Sequence, residues 1–294
     1  MLDIDWLRPT SITEAAQMLA EYGEEGKLVA GGTWVTLVLK QKLLMPRALI
    51  SLAGVPGLKE INFVPGRGLY IGALATHREV EISPVVRDHF PVLAETFSTV
   101  ANVRIRNQAT LGGVLCDADY ASDPPATLAA LKATISAYSL RGERKIPVRE
   151  FITGHYTTLL EADEIVTQLF VPEPPGPAYG VYLKYRTRSH EDRPCVGVAV
   201  VLAMGPGSRC RDIQVVVGAV ADRPRWVAPA LEAARDQELT PELATQIASQ
   251  YEKEIDPLSD LRASSEYRRR MVGVFVRRGI EAALARAGAG GVIS

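Results

Sequence analysis

Apolar and polar positions along this chain follow two periods, and the period changes mark its elements. Ser11-Ile12-Thr13-Glu14 is a capping box that opens a helix through about Tyr22, with Gly23 as its stop. Lys27 to Ala30 reads as a short strand, Thr33 to Leu43 as an apolar helix and Ala48 to Leu52 as the next strand. Together they make a small βαβ-like unit that ends near Gly54–Gly57. Leu69 to Leu74 is a strand, and Thr76 can cap a helix after it. Phe90 to Asn102 is helical, and Pro124-Pro125 opens a helix to Lys132. Ala133 to Tyr138 and Ile165 to Val171 are strands, and the proline-rich run 172–177 is a linker.

Beyond it, Tyr179, Val181, Leu183 and Tyr185 alternate with Lys184, Arg186 and Arg188, the pattern of a half-buried antiparallel strand. Val196–Met204 and Ile213–Val220 are further strands; helices follow at Val227–Arg235, Pro241–Tyr251 and Ser264–Arg286. Strands followed by helices predict an α+β domain with helices on one face of its sheet. The expected division is 1–57, 58–175 and 176–294.

Composition narrows the function. With 33 basic against 34 acidic residues, the net charge of -1 offers nothing to nucleic acid or an anionic membrane. The N-terminus lacks the basic and apolar regions of a signal peptide, and no apolar run approaches the ~18–20 residues that span a bilayer. These features predict a soluble, cytoplasmic protein. Cys116, Cys195 and Cys210 are too few and too dispersed for a disulfide framework or an iron–sulfur cluster. His77, His89, His155 and His190 show no metal-binding spacing, so no metal site is expected.

The chemistry concentrates at two glycine pairs. One is Val29-Ala30-Gly31-Gly32-Thr33; the other ends Ile105-Arg106-Asn107-Gln108-Ala109-Thr110-Leu111-Gly112-Gly113. Glycine tolerates positive φ and leaves no Cβ in the way of a ligand, and successive N–H groups in such a turn make an anion-binding concavity. Two such turns about 80 residues apart predict two halves of one cradle for a phosphate-bearing cofactor.

Three strings carry a family resemblance: the first glycine turn, the second with its continuation Val114 to Pro125, and Ser259 to Arg269. Together with Ile71-Gly72-Ala73, Lys184 and Val217 to Ala221, they resemble the FAD-binding medium subunit of the molybdenum hydroxylases, the xanthine dehydrogenase and carbon monoxide dehydrogenase family. The resemblance covers nearly the whole chain. It implies a two-part FAD-binding domain of the PCMH or vanillyl-alcohol-oxidase-like type, followed by an α+β domain of a three-stranded antiparallel sheet with a helical bundle. It implies FAD, with the pyrophosphate held by Val29, Ala30, Gly31, Gly32, Thr33, Trp34 and Val35 and by Thr110, Gly112, Gly113 and Val114; the two glycine turns and the lack of a histidine or cysteine anchor predict that it is bound non-covalently. Asp123 and Asp119 would accept from ribityl or ribose hydroxyls, Lys184 would sit near the flavin, and Val100 and Val166 would pack on the cofactor. Relatives carry Asn where this chain has Val114, and a small or polar residue where it has Trp34.

The same resemblance implies that molybdopterin resides in a large partner subunit and [2Fe–2S] clusters in a small one, the assembly being a dimer of heterotrimers. Electrons would pass from the clusters through FAD to an external acceptor, with no catalytic acid or base in this chain. The rivals are a stand-alone flavin-dependent oxidoreductase and a non-catalytic nucleotide-binding or assembly subunit. Residue by residue, Asp119 and Asp123 have a plainer reading as caps of the helix at Pro124, Lys184 as a solvated strand residue and Cys116 as buried packing. Arg262, Tyr267 and Arg268 read as stabilising the C-terminal domain.

Overall fold

The computed structural model describes residues 4–189, 191–205 and 209–288; His190 and the first three residues lie outside them. Three parallel strands open the fold, β1 (Asp5–Leu7), β2 (Gly26–Val29) and β3 (Ala48–Ser51), in the order β1-β3-β2. The helices α1 (Ile12–Tyr22) and α2 (Thr33–Lys40) supply the crossovers. The Ser11 hydroxyl accepts from the Glu14 N–H, while the Glu14 carboxylate reaches back to the Thr10 N–H, one residue beyond the expected partner. Helix α2 stops three residues short of the expected Leu43, and Lys42 there takes a φ of 58°.

A second layer begins with the hairpin β4 (Ile61–Val64) and β5 (Gly68–Gly72). Thr76 and Glu79 form a reciprocal capping box on α3 (His77–Ile82). Next come α4 (Pro84–His89), α5 (Pro91–Ser98), α6 (Val103–Arg106), α7 (Leu111–Asp117) and α8 (Pro124–Ala130). The single helix expected over Phe90–Asn102 is therefore cut at Ser98, and Ala101 sits in the left-handed region at φ 41°. The strands β6 (Thr134–Ser139) and β7 (Gly142–Pro147), then α9 (Val148–Phe151), the small pair β8 (Ile152–Gly154) and β9 (Thr157–Thr158), and β10 (Ile165–Pro172) complete this part. Its five-stranded sheet runs β4-β5-β10-β6-β7, with every pairing antiparallel.

The last part is the antiparallel sheet β11 (Ala178–Tyr185), β12 (Val196–Met204) and β13 (Cys210–Gly218), with α10 (Ala228–Ala233), α11 (Pro241–Glu254) and α12 (Ser265–Gly288). Here the expectation of a half-buried sheet fails. Helix α12, with α11 packed against it, covers one face, and α5 and α8 of the preceding layer cover the other. Val181, Val198, Val200 and Val215 join the C-terminal core, whereas Ala178, Ala199 and Val216 join the core of the middle layer. A Cβ on Gly180 would stand 2.8 Å from the Val92 Cβ. Contact this close between the layers buries both faces of the sheet.

A candidate cofactor cleft

A cleft of about 690 Å³ opens where the three layers meet. That size lies within the ~300–1,000 Å³ common to small-molecule sites. Its walls include Ala30 to Val35, Val100, Thr110, Gly112 to Val114, Asp119, Asp123, Val166 and Lys184. Of the residues expected to bind the cofactor, Val29 alone stays out of the wall. It is buried in β2, with its backbone in the parallel ladder.

The first glycine turn faces the cleft from β2. Gly32 is the N-cap of α2, with φ 72°, and no side chain caps that helix. The first N–H groups of a helix lack intrahelical partners and carry the positive end of its dipole. An added Cβ at Gly32 would meet nothing nearer than the Thr36 Oγ1 at 3.7 Å, so space lies on that side. Gly31 is needed for another reason: a Cβ there would overlap the Gln108 carbonyl. The two turns pack on each other.

The second turn has a different build. Thr110 is the N-cap of α7, its hydroxyl accepting from the Gly113 N–H at 3.1 Å. Gly112 packs beneath Ala73, whose Cβ would stand 2.8 Å from an added methyl. His77 lies below, buried, its backbone N–H donating to the Ala109 carbonyl. Burial pushes its imidazole down to about 4; the Thr110 backbone opposes this and the Arg106 charge adds to it.

The polar end centres on Asp123. Its Oδ1 accepts from the Tyr182 hydroxyl at 2.7 Å and its Oδ2 from the Lys184 ammonium at 2.9 Å. Lys184 also donates to the Thr99 carbonyl at 2.9 Å. The plainer readings are thus corrected: Lys184 is not a solvated strand residue, its side chain being 2% exposed. Asp123 stands at the N-cap of α8 but makes no capping bond. Burial drives the Asp123 carboxyl up and the Lys184 ammonium down, each against the pull of its partner. Asp119 accepts from the Ala121 N–H and pairs with Arg193 at 2.5 Å. Each carboxylate oxygen can accept more than one hydrogen bond, so both residues retain capacity toward hydroxyls in the cleft.

Other wall residues carried no signal in the sequence. Arg193 arrives from the loop after β11, and Asp117 sits at the end of α7, its carboxyl pushed up to about 7 by burial and by the charge of Asp119. Cys116 is exposed on the wall rather than buried packing. The Ser259–Arg269 string does more than hold its own domain together. The Tyr120 hydroxyl donates to the Asp260 Oδ2 at 2.6 Å, Arg262 donates to the Tyr120 oxygen at 3.2 Å, and the Ala219 N–H donates to the Tyr120 carbonyl. Fully buried Arg268 anchors Asp260 at 2.7 Å. Partial burial raises the Asp260 carboxyl, but bonds from Arg268, Tyr120 and the Arg262 N–H outweigh it and hold the group well below the usual range. The loop carrying Asp119 and Asp123 is therefore tied to the C-terminal domain.

An uncapped helix start, a second glycine turn and buried hydroxyl acceptors suit a long cofactor with both phosphate and polyol groups. Residues 2–174 match the model of the FAD binding domain in molybdopterin dehydrogenase, and residues 181–283 match the CO dehydrogenase flavoprotein C-terminal domain. The chain belongs to this family of FAD-binding medium subunits. It is an oxidoreductase subunit with an FAD-binding domain, of the kind that serves electron transfer in the molybdenum hydroxylases. The nicotine 6-hydroxylase medium subunit of Paenarthrobacter nicotinovorans is 34% identical over 284 residues, 96% of this chain and 98% of that one. The carbon monoxide dehydrogenase medium chain of Afipia carboxidovorans is 30% identical, covering 96% and 97%. Among solved structures, reconstituted CO dehydrogenase from Oligotropha carboxidovorans superposes with a TM-score of 0.92 at 30% identity, covering 96% of this chain and 98% of that one. Among the described residues no helix is long and apolar enough to cross a membrane.

Proposed function

We propose that the cleft is the FAD site and that this chain is the flavin-bearing member of a cytoplasmic assembly with a molybdenum-cofactor large subunit and a [2Fe–2S] small subunit, arranged as a dimer of heterotrimers. The single observation that carries the site is the uncapped start of α2, opening at Gly32 onto the cleft. Its first-turn N–H groups would hold the pyrophosphate, while the start of α7, whose Leu111, Gly112 and Gly113 N–H groups are given to Ala75, Ala73 and Thr110, would close the opposite side as a packed wall. Asp123 and Asp119 would accept from the polyol hydroxyls, and Lys184 would keep a positive charge beside the flavin. When bound, FAD supplies the redox step between the partner's clusters and an external acceptor. The protein's share is to bind, orient and exclude water.

The cofactor should be non-covalent, since no cysteine or histidine of the wall is set up as an anchor. Acid precipitation of the purified protein is expected to leave the yellow chromophore in the supernatant; colour retained in the pellet refutes this. In the assembled complex, Gly32→Val should remove FAD. Substrate should still bleach the iron–sulfur bands, while transfer to the acceptor stops. Iron–sulfur bands that stay oxidised although those centres are occupied would place FAD elsewhere in the path.

A further inference from the structure

The wall formed by Val100 and Ala101 has an unusual support. The three consecutive carbonyls of Thr99, Val100 and Ala101 each accept a hydrogen bond from a cationic side chain. Lys184 Nζ donates to Thr99 at 2.9 Å. Arg106 Nη1 donates to Val100 at 2.9 Å and to Ala101 at 3.1 Å. Ala101 holds φ 41°, a conformation that an L residue with a Cβ adopts only under constraint. Arg106 is itself fixed, its Nε donating at 2.9 Å to the Glu81 carboxylate. Glu81 is buried, takes a second ion pair from Arg78 at 2.7 Å, and offers its backbone carbonyl to Arg87. The Arg106 side chain is 13% exposed, so solvent screens this arrangement little.

Only a guanidinium can do this. It is a rigid planar fork that donates to two neighbouring carbonyls and a carboxylate at once, whereas a lysine is a single point of charge. We propose that Arg106, oriented by Glu81, is a positioning residue for the cofactor. It clamps the 99–101 turn in its left-handed form, so that Val100 and Ala101 stand in the cleft wall beside Lys184. This rests on the reading of the cleft as the FAD site and adds the device that shapes its flavin end. Arg106 does not line the cleft; its effect on the cofactor passes through the backbone of the turn.

The test is an FAD titration of the full-length apoprotein, followed by flavin absorbance, for wild type, Arg106→Lys, Ala101→Gly and Arg106→Lys with Ala101→Gly. Thermal melting by circular dichroism accompanies each. Arg106→Lys should raise the FAD dissociation constant by about tenfold, the scale of a released left-handed residue. It should also shift the visible flavin band while the melting curve stays cooperative. Glycine at 101 takes the left-handed form without the clamp, so the double variant should recover at least half of that loss on a logarithmic scale. Wild-type affinity and spectrum in Arg106→Lys overturn the proposal. So does a double variant no better than Arg106→Lys, because a purely structural role would not be rescued by a glycine at 101. Failure of the wild-type chain to take up FAD overturns the cofactor reading and this inference together.

Discussion

The two glycine turns share a dipeptide but not a reason for it. At the first, Gly32 is required by its backbone, which is left-handed with room around the missing Cβ, while Gly31 is required by contact with Gln108. At the second, both glycines lie in the first turn of α7. Gly112 is required by the nearness of Ala73, and an added Cβ at Gly113 would crowd the Thr110 hydroxyl at 2.8 Å. The shared expectation that both turns use positive φ is thus corrected for the second. One turn is built around a conformation and the other around close packing, and Gly31 is the point where they depend on each other.

Substitutions separate these causes. The largest effect is expected from Gly31→Val. The colliding atom is a backbone carbonyl that cannot swing away, so the variant should lose all flavin and about 3 kcal/mol or more of stability. Denaturant midpoints and flavin content measure this, and a near-native midpoint would mean that the turns do not pack together.

Acid should act next, through His77 beside the second turn and against the opposite pull of Asp117, whose raised carboxyl gains stability on protonation as the pH falls below about 7. The folded-state value for His77 lies below its ordinary one, so its contribution is complete above pH 6.5 and is lost as the pH falls toward about 4. The loss over that window is up to about 3 kcal/mol. His77→Gln should take the His77 share out of the slope of stability against pH and leave the opposite share of Asp117, whatever its effect on stability at neutral pH; an unchanged slope would clear His77 of the role.

The smallest and most discriminating pair is Gly112→Ala against Gly32→Ala. Gly112→Ala should cost about 1–3 kcal/mol through overpacking on Ala73. Gly32→Ala should cost only about 1 kcal/mol in stability, the penalty of a left-handed alanine. Its Cβ, facing open space, should show instead as weaker FAD binding. Equal melting shifts in the two variants would erase the distinction between the turns.

Much of this molecule was legible in the chain because its signals are local. The apolar periods placed α1, β3, β5, α8 and the C-terminal strands and helices, Thr76 announced the cap of α3, and the glycine strings pointed to the cofactor. These depend on contacts within a few residues or on strings that can be matched as text. Where the apolar period is weak, the elements went unread. β7 is a polar edge strand with Ile146 as its buried residue, β4 alternates over four residues, and β1 has three.

What only the tertiary structure decided is the company each residue keeps. Lys184 sits on an alternating strand and so reads as solvated; α5 and α8 cover that face of the sheet and bring it against Asp123, 61 residues away in sequence. Arg106 reads as one more letter of a matched string until Glu81 and the Val100 and Ala101 carbonyls are seen around it. Tyr120 and Asp260, 140 residues apart, join two domains through one hydroxyl. Periodicity reports how often a side chain faces the interior. It carries no record of which distant group will be waiting there, because that pairing is settled by how the layers pack and not by any span of chain short enough to show a pattern.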